Sequence, residues 1–334
     1  VSLPPDPAGT TPAEPADWSR QAERSNLRTL RVMSWIATTL GRPVARGVLW
    51  PIALYFLLAG GPAPAASADY LRRVLGRAPR WRERLRHIHH FSATVLDRVY
   101  LLQDRLRGFD IRITGVEHLD ELLQRGRGAL LIGAHLGSFE ALRALGQSRR
   151  GLKVAMLMYE DNARQINDTL RAIAPDVPLH TIALGHLGAM LTLRQWLDDG
   201  GVAGLLADRR LPVQSQRSNT WTLPFLGEPA SFSDGPFRLA ALLRRPVVFM
   251  TGLYHGGACY ELRFARLADF STLPSGRSAD RAGVDAAVEA ALQAYVAQVE
   301  ALCRETPYNW FNFFDFWARP EPTEVLPPAP APPG

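Results

Sequence analysis

Residues 128–148 read GALLIGAHLGSFEALRALGQS, and the fold follows from how this stretch changes its period. The run Ala129 to Ala134 is apolar throughout and has the length of a strand buried on both faces. It stops at His135, and beyond Gly137 the residues Phe139, Leu142 and Leu145 recur at helical spacing. The reading is a buried strand, a turn carrying His135, then a helix; open α/β sheets gather their chemistry at such strand ends. Glu140 follows His135 by five residues. Eight His and 32 acidic residues in 334 give roughly one such pair by chance, so the spacing alone has no weight. Inside one helix the two would fall on different faces. With His135 ahead of the helix and Glu140 in its first turns, the carboxylate can reach back, fix the imidazole tautomer and leave the other ring nitrogen free to take a proton. A satisfied junction His beside a surface Glu fits the same two residues.

Outward from this unit, strands are expected near Ile111–Gly115, Ala129–Ala134, Val154–Met158, Val202–Leu206, Val247–Gly252 and Tyr260–Phe264. Helices are expected near Leu119–Leu123, Phe139–Gln147, Ala163–Ile173, Leu187–Leu197, Pro236–Leu243 and Asp285–Cys303. The alternation implies an α/β fold: a largely parallel, mixed sheet flanked by helices on both faces. Residues 108–318 form this domain. Residues 1–17 and the Pro-rich 319–334 are expected to be disordered, and no secretory signal pattern opens the chain.

Residues 18–107 read as helical. Leu30, Met33, Ile36, Ala37 and Leu40 form one apolar side, and the uncharged stretch Gly47–Ala66 follows. Its dense core VLWPIALYFLLA (Val48–Ala59) is shorter than the ~20 residues of a spanning helix. Trp35, Trp50 and Tyr55, flanked by Arg42, Arg46, Arg72, Arg73 and Arg77, suit a re-entrant or interfacial anchor; a buried core helix is the plainer alternative. His87, His89 and His90 among Arg80, Arg82, Arg84 and Arg86 read as a solvated basic helix, with no metal-ligand set.

The net charge is +6, and Lys153 is the only lysine among 38 basic residues. A positive surface suits an anionic membrane or an acidic carrier, while no nucleic-acid module is recognisable. Cys259 and Cys303 are expected to be free thiols. There is no Gly-x-Ser-x-Gly elbow, Walker loop or GxGxxG fingerprint, which disfavours a Ser acyl-enzyme and nucleotide chemistry. A second buried strand, in GLLADRR, ends at Asp208, Arg209 and Arg210; the two Arg could stabilise an oxyanion or clasp phosphates, or the three could form a solvated turn with an Asp-Arg pair. Arg164 and Arg171, seven apart on one helix face, could meet a phosphorylated group equally well as solvent. Ser233 or Asp234 would cap a helix starting at Pro236. The segment PYNWFNFFDFW (Pro307–Trp317) holds seven aromatics in eleven residues, with Asn309, Asn312 and Asp315 as a polar edge, and reads as core-closing.

Taken together, AHLGSFE, LLADRR, LPFLGEPASFSDGPFRLA and PVVFMTGLYHGG resemble, in order, the bacterial lipid A late acyltransferase family of the lysophospholipid acyltransferases, from Ile111 to Trp317. The resemblance implies a membrane-associated acyltransferase at the cytoplasmic face of the bacterial inner membrane. It would move a fatty acyl chain from an acyl carrier protein or coenzyme A thioester to a lipid hydroxyl, without a resident cofactor. It implies His135 as general base oriented by Glu140, and an Asp208 block at the active site with Arg209 as the leading charge stabiliser. Ser138, Tyr159, Asn162, Trp221, Phe225, Phe232 and Trp310 are candidate acyl or acceptor pocket residues. Arg-Arg after the Asp departs from the family pattern, and the aromatic tail looks closer to a branch handling aryl polyene-type lipids. Other readings are N-acylation of an amino-acid lipid, thioester hydrolysis, and a non-catalytic lipid-binding or assembly protein that keeps the fold.

Overall fold

A computed structural model describes residues 39, 41–103, 105–124, 126, 128–142, 152–159, 180–184, 187–209, 220–273 and 281–318. The expected disordered ends, the helical pattern of 27–40 apart from Thr39, the helix Ala163–Ile173 and the continuation of the helix beyond Leu142 lie outside these residues.

Helices α1 (Arg42–Ala59) and α2 (Ala63–Leu75) are bent by 94° at the Gly60–Gly61 break, and α3 (Trp81–Leu102) follows. No single helix among the described residues is long and apolar enough to cross a membrane; α1 and α2 together pass on length and composition. Strand β1 (Asp110–Thr114) and α4 (Glu117–Gln124) lead to β2 (Leu130–Gly133). A single 3-10 turn (Phe139–Leu142) stands where the helix was expected to start. Then come β3 (Val154–Tyr159), β4 (Thr181–Leu184), α5 (Leu187–Asp198), β5 (Val202–Leu206), the hairpin β6 (Thr220–Phe225) and β7 (Glu228–Ser233), α6 (Gly235–Leu243), β8 (Pro246–Gly256), β9 (Cys259–Asp269) and α7 (Arg281–Glu305).

The seven-stranded sheet has the order β1-β9-β8-β2-β5-β3-β4. The strands β8, β2, β5, β3 and β4 run parallel, whereas β9 pairs antiparallel with β8, and β1 parallel with β9. This is the mixed, largely parallel sheet that the pattern implied. β4 and the β6–β7 hairpin were not anticipated. The hairpin turns at Leu226 and Gly227, both at positive φ (53° and 86°).

Why β2 is apolar at every position is now visible. Leu130 and Ile132 enter one core with α2, α5, α6 and α7, and Ala129 and Leu131 enter the other with α1, α3 and α4. A strand alternates faces, so one covered on both sides can carry no polar residue. Its exit is constrained too. The chain crosses β8 by backbone contact: Gly137 bridges Gly252, and the Ser138 N–H donates to the Gly252 carbonyl at 2.8 Å. Gly137 has φ +70°, and a Cβ there would stand 2.0 Å from the Gly252 carbonyl oxygen.

The helical region packs on the sheet through buried polar groups. Asp97 accepts from Nε and Nη2 of Arg42 at 2.7 Å each, from Arg46 at 3.3 Å and from the Tyr260 hydroxyl at 2.9 Å. The solvated reading of the His cluster is corrected here. His87, His89 and His90 are all buried, because the side of α3 that carries them is the side facing α1, α2 and the aromatic tail.

Gly137→Ala is expected to lower the unfolding free energy by about 2 kcal/mol or more, combining a positive-φ penalty with the carbonyl clash. Gly200→Ala, also at positive φ but with open space around its Cβ, isolates the first part. Denaturant titration of both variants checks the difference.

Candidate active site

Strands β2 and β5 lie in parallel register, with Leu130 opposite Ala203 and Gly133 opposite Leu206. Continued two residues past the strand ends, that register sets His135 opposite Asp208. The pair is bonded there. His135 Nδ1 donates to Asp208 Oδ1 at 2.7 Å, and the His135 backbone N–H donates to Oδ2 at 3.1 Å. Trp310 Nε1 at 3.0 Å and Asn312 Nδ2 at 2.8 Å also donate to Oδ2. Four donors match what a carboxylate can accept, and Asp208 is 1% exposed.

Burial pushes the Asp208 pKa up, but the charge and hydrogen bond of His135 and the charge of Arg209 outweigh it and hold the group well below the usual carboxylate range. An ionised acceptor at Nδ1 keeps the imidazole proton there, so the lone pair sits on Nε2. For His135, burial and then the Arg209 charge lower the pKa. The Asp208 charge and hydrogen bond oppose them, and the net shift is down. The ring is therefore neutral at neutral pH, oriented, and 27% exposed. That is what a general base at a strand end requires.

Arg209 belongs to the same cluster through Asn312. The Asn312 Oδ1 accepts from Arg209 Nε at 2.8 Å while its Nδ2 holds Asp208. Arg209 also donates to the Phe311 carbonyl at 3.0 Å, and its guanidinium lies 5.6 Å from the Phe314 ring centre. The aromatic tail is the back of the site. Leu136 bridges Trp310, Phe311 N–H donates to the His135 carbonyl at 2.8 Å, and Gly137 N–H donates to the Asn309 carbonyl at 2.9 Å.

The expected role of Glu140 is corrected. Its carboxylate pairs with Arg98 of α3 at 2.7 Å and accepts from the buried Ser138 hydroxyl at 3.0 Å; the carboxylate at the imidazole is that of Asp208. The physical reason is the crossing over β8. The three residues after His135 are spent on bridges to Trp310 and Gly252, so the turn bearing Glu140 starts too late to fold back and ends against α3.

The aromatic pocket candidates are also reassigned. Phe225, Phe232 and Trp310 are 0–1% exposed and packed on one another, with ring centres 5.5 Å and 5.3 Å apart for Phe225–Phe232 and Phe225–Trp310. They form solid core behind Asp208. Trp221 donates to Asp234 Oδ2 at 3.0 Å, at the start of α6. Ser233 Oγ caps Gly235 N–H at 3.2 Å. Arg210, Arg164, Arg171 and Asn162 lie outside the described residues, as does the side chain of Tyr159, which ends β3. Among the described residues no group of three His, Cys, Asp or Glu could hold a metal ion.

Sequence reasoning missed Asn309, Asn312, Arg98 and His87. The signal for the first two was present: Asn at every third position inside an aromatic run is a polar edge that packing must bury, and each Asn can bond on two sides. Asn309 exchanges both amide bonds with the Tyr254 backbone, at 2.8 and 3.0 Å. His87 holds the tail from the other side, with Ser67 Oγ 2.8 Å from Nδ1 and the Trp310 carbonyl 2.9 Å from Nε2.

No protein-family model and no curated protein match the chain. Among solved structures it is similar to the 1-acyl-sn-glycerophosphate (LPA) acyltransferase PlsC from Thermotoga maritima, at 14% identity over 79% of this chain and 94% of that one, with a TM-score of 0.32.

Burial of His87, opposed by the Trp310 hydrogen bond, brings its pKa from an ordinary 6.5 down to about 4. As pH falls from 6.5 towards 4, the unfolded chain takes up a proton that the folded one refuses, so stability falls across that window by about 3 kcal/mol. Urea titrations over this range are expected to show at least that loss, since burial lowers His90 in the same direction, and His87→Gln, which keeps a neutral donor and acceptor, to remove the share that belongs to His87.

Proposed function

We propose that the chain is an acyltransferase acting on a lipid, with His135 as base and Asp208 as the group that orients it. The observation carrying this is the 2.7 Å bond from His135 Nδ1 to a buried, ionised Asp208, which leaves Nε2 with its lone pair at the mouth of the sheet. His135 Nε2 takes the proton of an acceptor hydroxyl as its oxygen attacks the carbonyl carbon of an acyl thioester. The C–S bond then breaks, and the leaving thiolate receives the proton from the imidazolium. Arg209 supplies positive charge where the carbonyl oxygen becomes negative. No covalent acyl-enzyme is needed, in keeping with the absence of a nucleophile elbow.

The donor is an acyl carrier protein or coenzyme A thioester, either of which suits a chain of net charge +6. The enzyme works at the cytoplasmic face of the bacterial inner membrane, in or near the lipid A late acyltransferase branch. In support, α1 leaves Trp50, Leu54, Tyr55, Phe56 and Leu58 exposed, an apolar face suited to the lipid interface.

The test uses detergent-purified protein, acyl donors labelled on both carriers and a total lipid extract, with labelled lipid followed by mass spectrometry. His135→Ala and Asp208→Asn are each expected to lower the rate by about 10²- to 10⁴-fold. Glu140→Gln, whose partner is Arg98, is expected to change it by no more than about threefold. The acid limb of the native rate profile should lie below the ordinary histidine value of 6.5, because the base is held neutral. Undiminished transfer without His135 overturns the mechanism, and release of free fatty acid with no acceptor present makes the chain a hydrolase.

A further inference from the structure

A cleft of about 630 Å³ opens where α1, the first half of α3 and the end of β8 meet, and neither His135 nor Asp208 lines it. Arg46, Arg82 and Arg86 line it with no acidic side chain among its wall residues. Arg46 is occupied by Asp97 and Tyr254. Arg82 and Arg86 are exposed, one helical turn apart, and neither is paired with a carboxylate among the described residues. Instead they rest on aromatic faces, Arg82 5.4 Å from the Trp81 ring centre and Arg86 4.6 Å from that of Tyr308.

A second observation fixes one of these guanidiniums in place. His90 lines the cleft and is 7% exposed. Its Nε2 accepts from Arg86 Nε at 3.4 Å, so the histidine holds that guanidinium at the cleft wall. The donors that the cleft presents are the Arg82 and Arg86 guanidiniums, which pair with no described carboxylate, and the ligand complementary to two such groups is an oxyanion. Where that anion comes from is indicated by Trp50, which is both a wall of the cleft and part of the exposed apolar face of α1. A ligand reaching the cleft from that face is at headgroup depth on a lipid surface.

We propose that this cleft is a subsite for the phosphate of an anionic lipid headgroup, clasped by Arg82 and Arg86. It is separate from the acyl-transfer centre, and binding alone tests it, so it stands or falls independently of that reading.

The full chain would be floated with vesicles of phosphatidylcholine alone and of phosphatidylcholine doped with phosphatidic acid or phosphatidylglycerol, and titrated in parallel with inorganic phosphate. The native chain is expected to prefer doped vesicles. Arg82→Ala/Arg86→Ala should lose about thirtyfold of that binding, the worth of two arginines at a charged lipid surface, with binding to phosphatidylcholine and the circular dichroism unchanged. Arg194→Ala/Arg266→Ala removes equal charge from exposed positions outside the cleft and should leave the preference intact. An equal loss in this control pair overturns the proposal, because only diffuse charge is then at work. Cleft-dependent binding of inorganic phosphate without any gain on doped vesicles also overturns it, in favour of a soluble phosphate.

Discussion

A carboxylate sealed from water must be given donors, and at Asp208 they come from two distant parts of the chain. Two belong to His135 on the neighbouring strand end, and two to Trp310 and Asn312, which lie 102 and 104 residues further on. A buried charge stripped of any of them would be left partly unsolvated at a cost of several kcal/mol. Seating the C-terminal segment and orienting the histidine are therefore one event. The aromatic tail is the solvation shell of the residue on which the base depends, and its packing against Phe225 and Phe316 keeps water from competing for Oδ2.

The same segment is fastened from three further directions. Backbone bridges tie it to the His135 turn, Asn309 ties it to β8, and His87 ties its Trp310 carbonyl to α3. Helix α3 is in turn held to α1 and β9 by Asp97 with Arg42, Arg46 and Tyr260. Buried ion pairs of this sort are weak evidence for net stability, since desolvation offsets much of the attraction. Their geometry is specific, however. They set where α3 lies, and α3 carries both His87 behind the site and Arg98 beside it, so the helical region helps to shape the centre although it contributes no base.

The sheet was legible because β2, β3, β5 and β8 are nearly continuous apolar runs while β1 and β9 alternate; six strands and the junction at His135 could be read from composition and period alone. β4 escaped because TIAL is only four residues long, with just Ile182 buried, and the β6–β7 hairpin because its turn is formed by Leu-Gly instead of the usual Asn or Asp with Gly. The histidines of α3 misled for a different reason. His87, His90, Thr94 and Asp97 form a polar stripe at helical spacing, and polarity ordinarily marks the solvent side; here each member is buried against a specific partner. The Glu140 reading shows the limit most clearly. A local spacing invited a local partner, while the true one lies 73 residues away on another strand.

Yet those 73 residues are not arbitrary. The offset between β2 and β5 in the sheet is the same one that separates His135 from Asp208, so the pairing is the strand register carried beyond the strands. A slip of one residue would bring Ala207 or Arg209 opposite His135 and turn the flanking side chains to the other face of the sheet. Such a slip is barred in the strands themselves. Leu130 and Ile132 must enter one core and Leu131 the other, and the exit from β2 is pinned by the Gly137–Gly252 contact, where no side chain fits. The apolar run that first marked the fold thus does more than build the sheet. By permitting a single register it decides which acid meets the base.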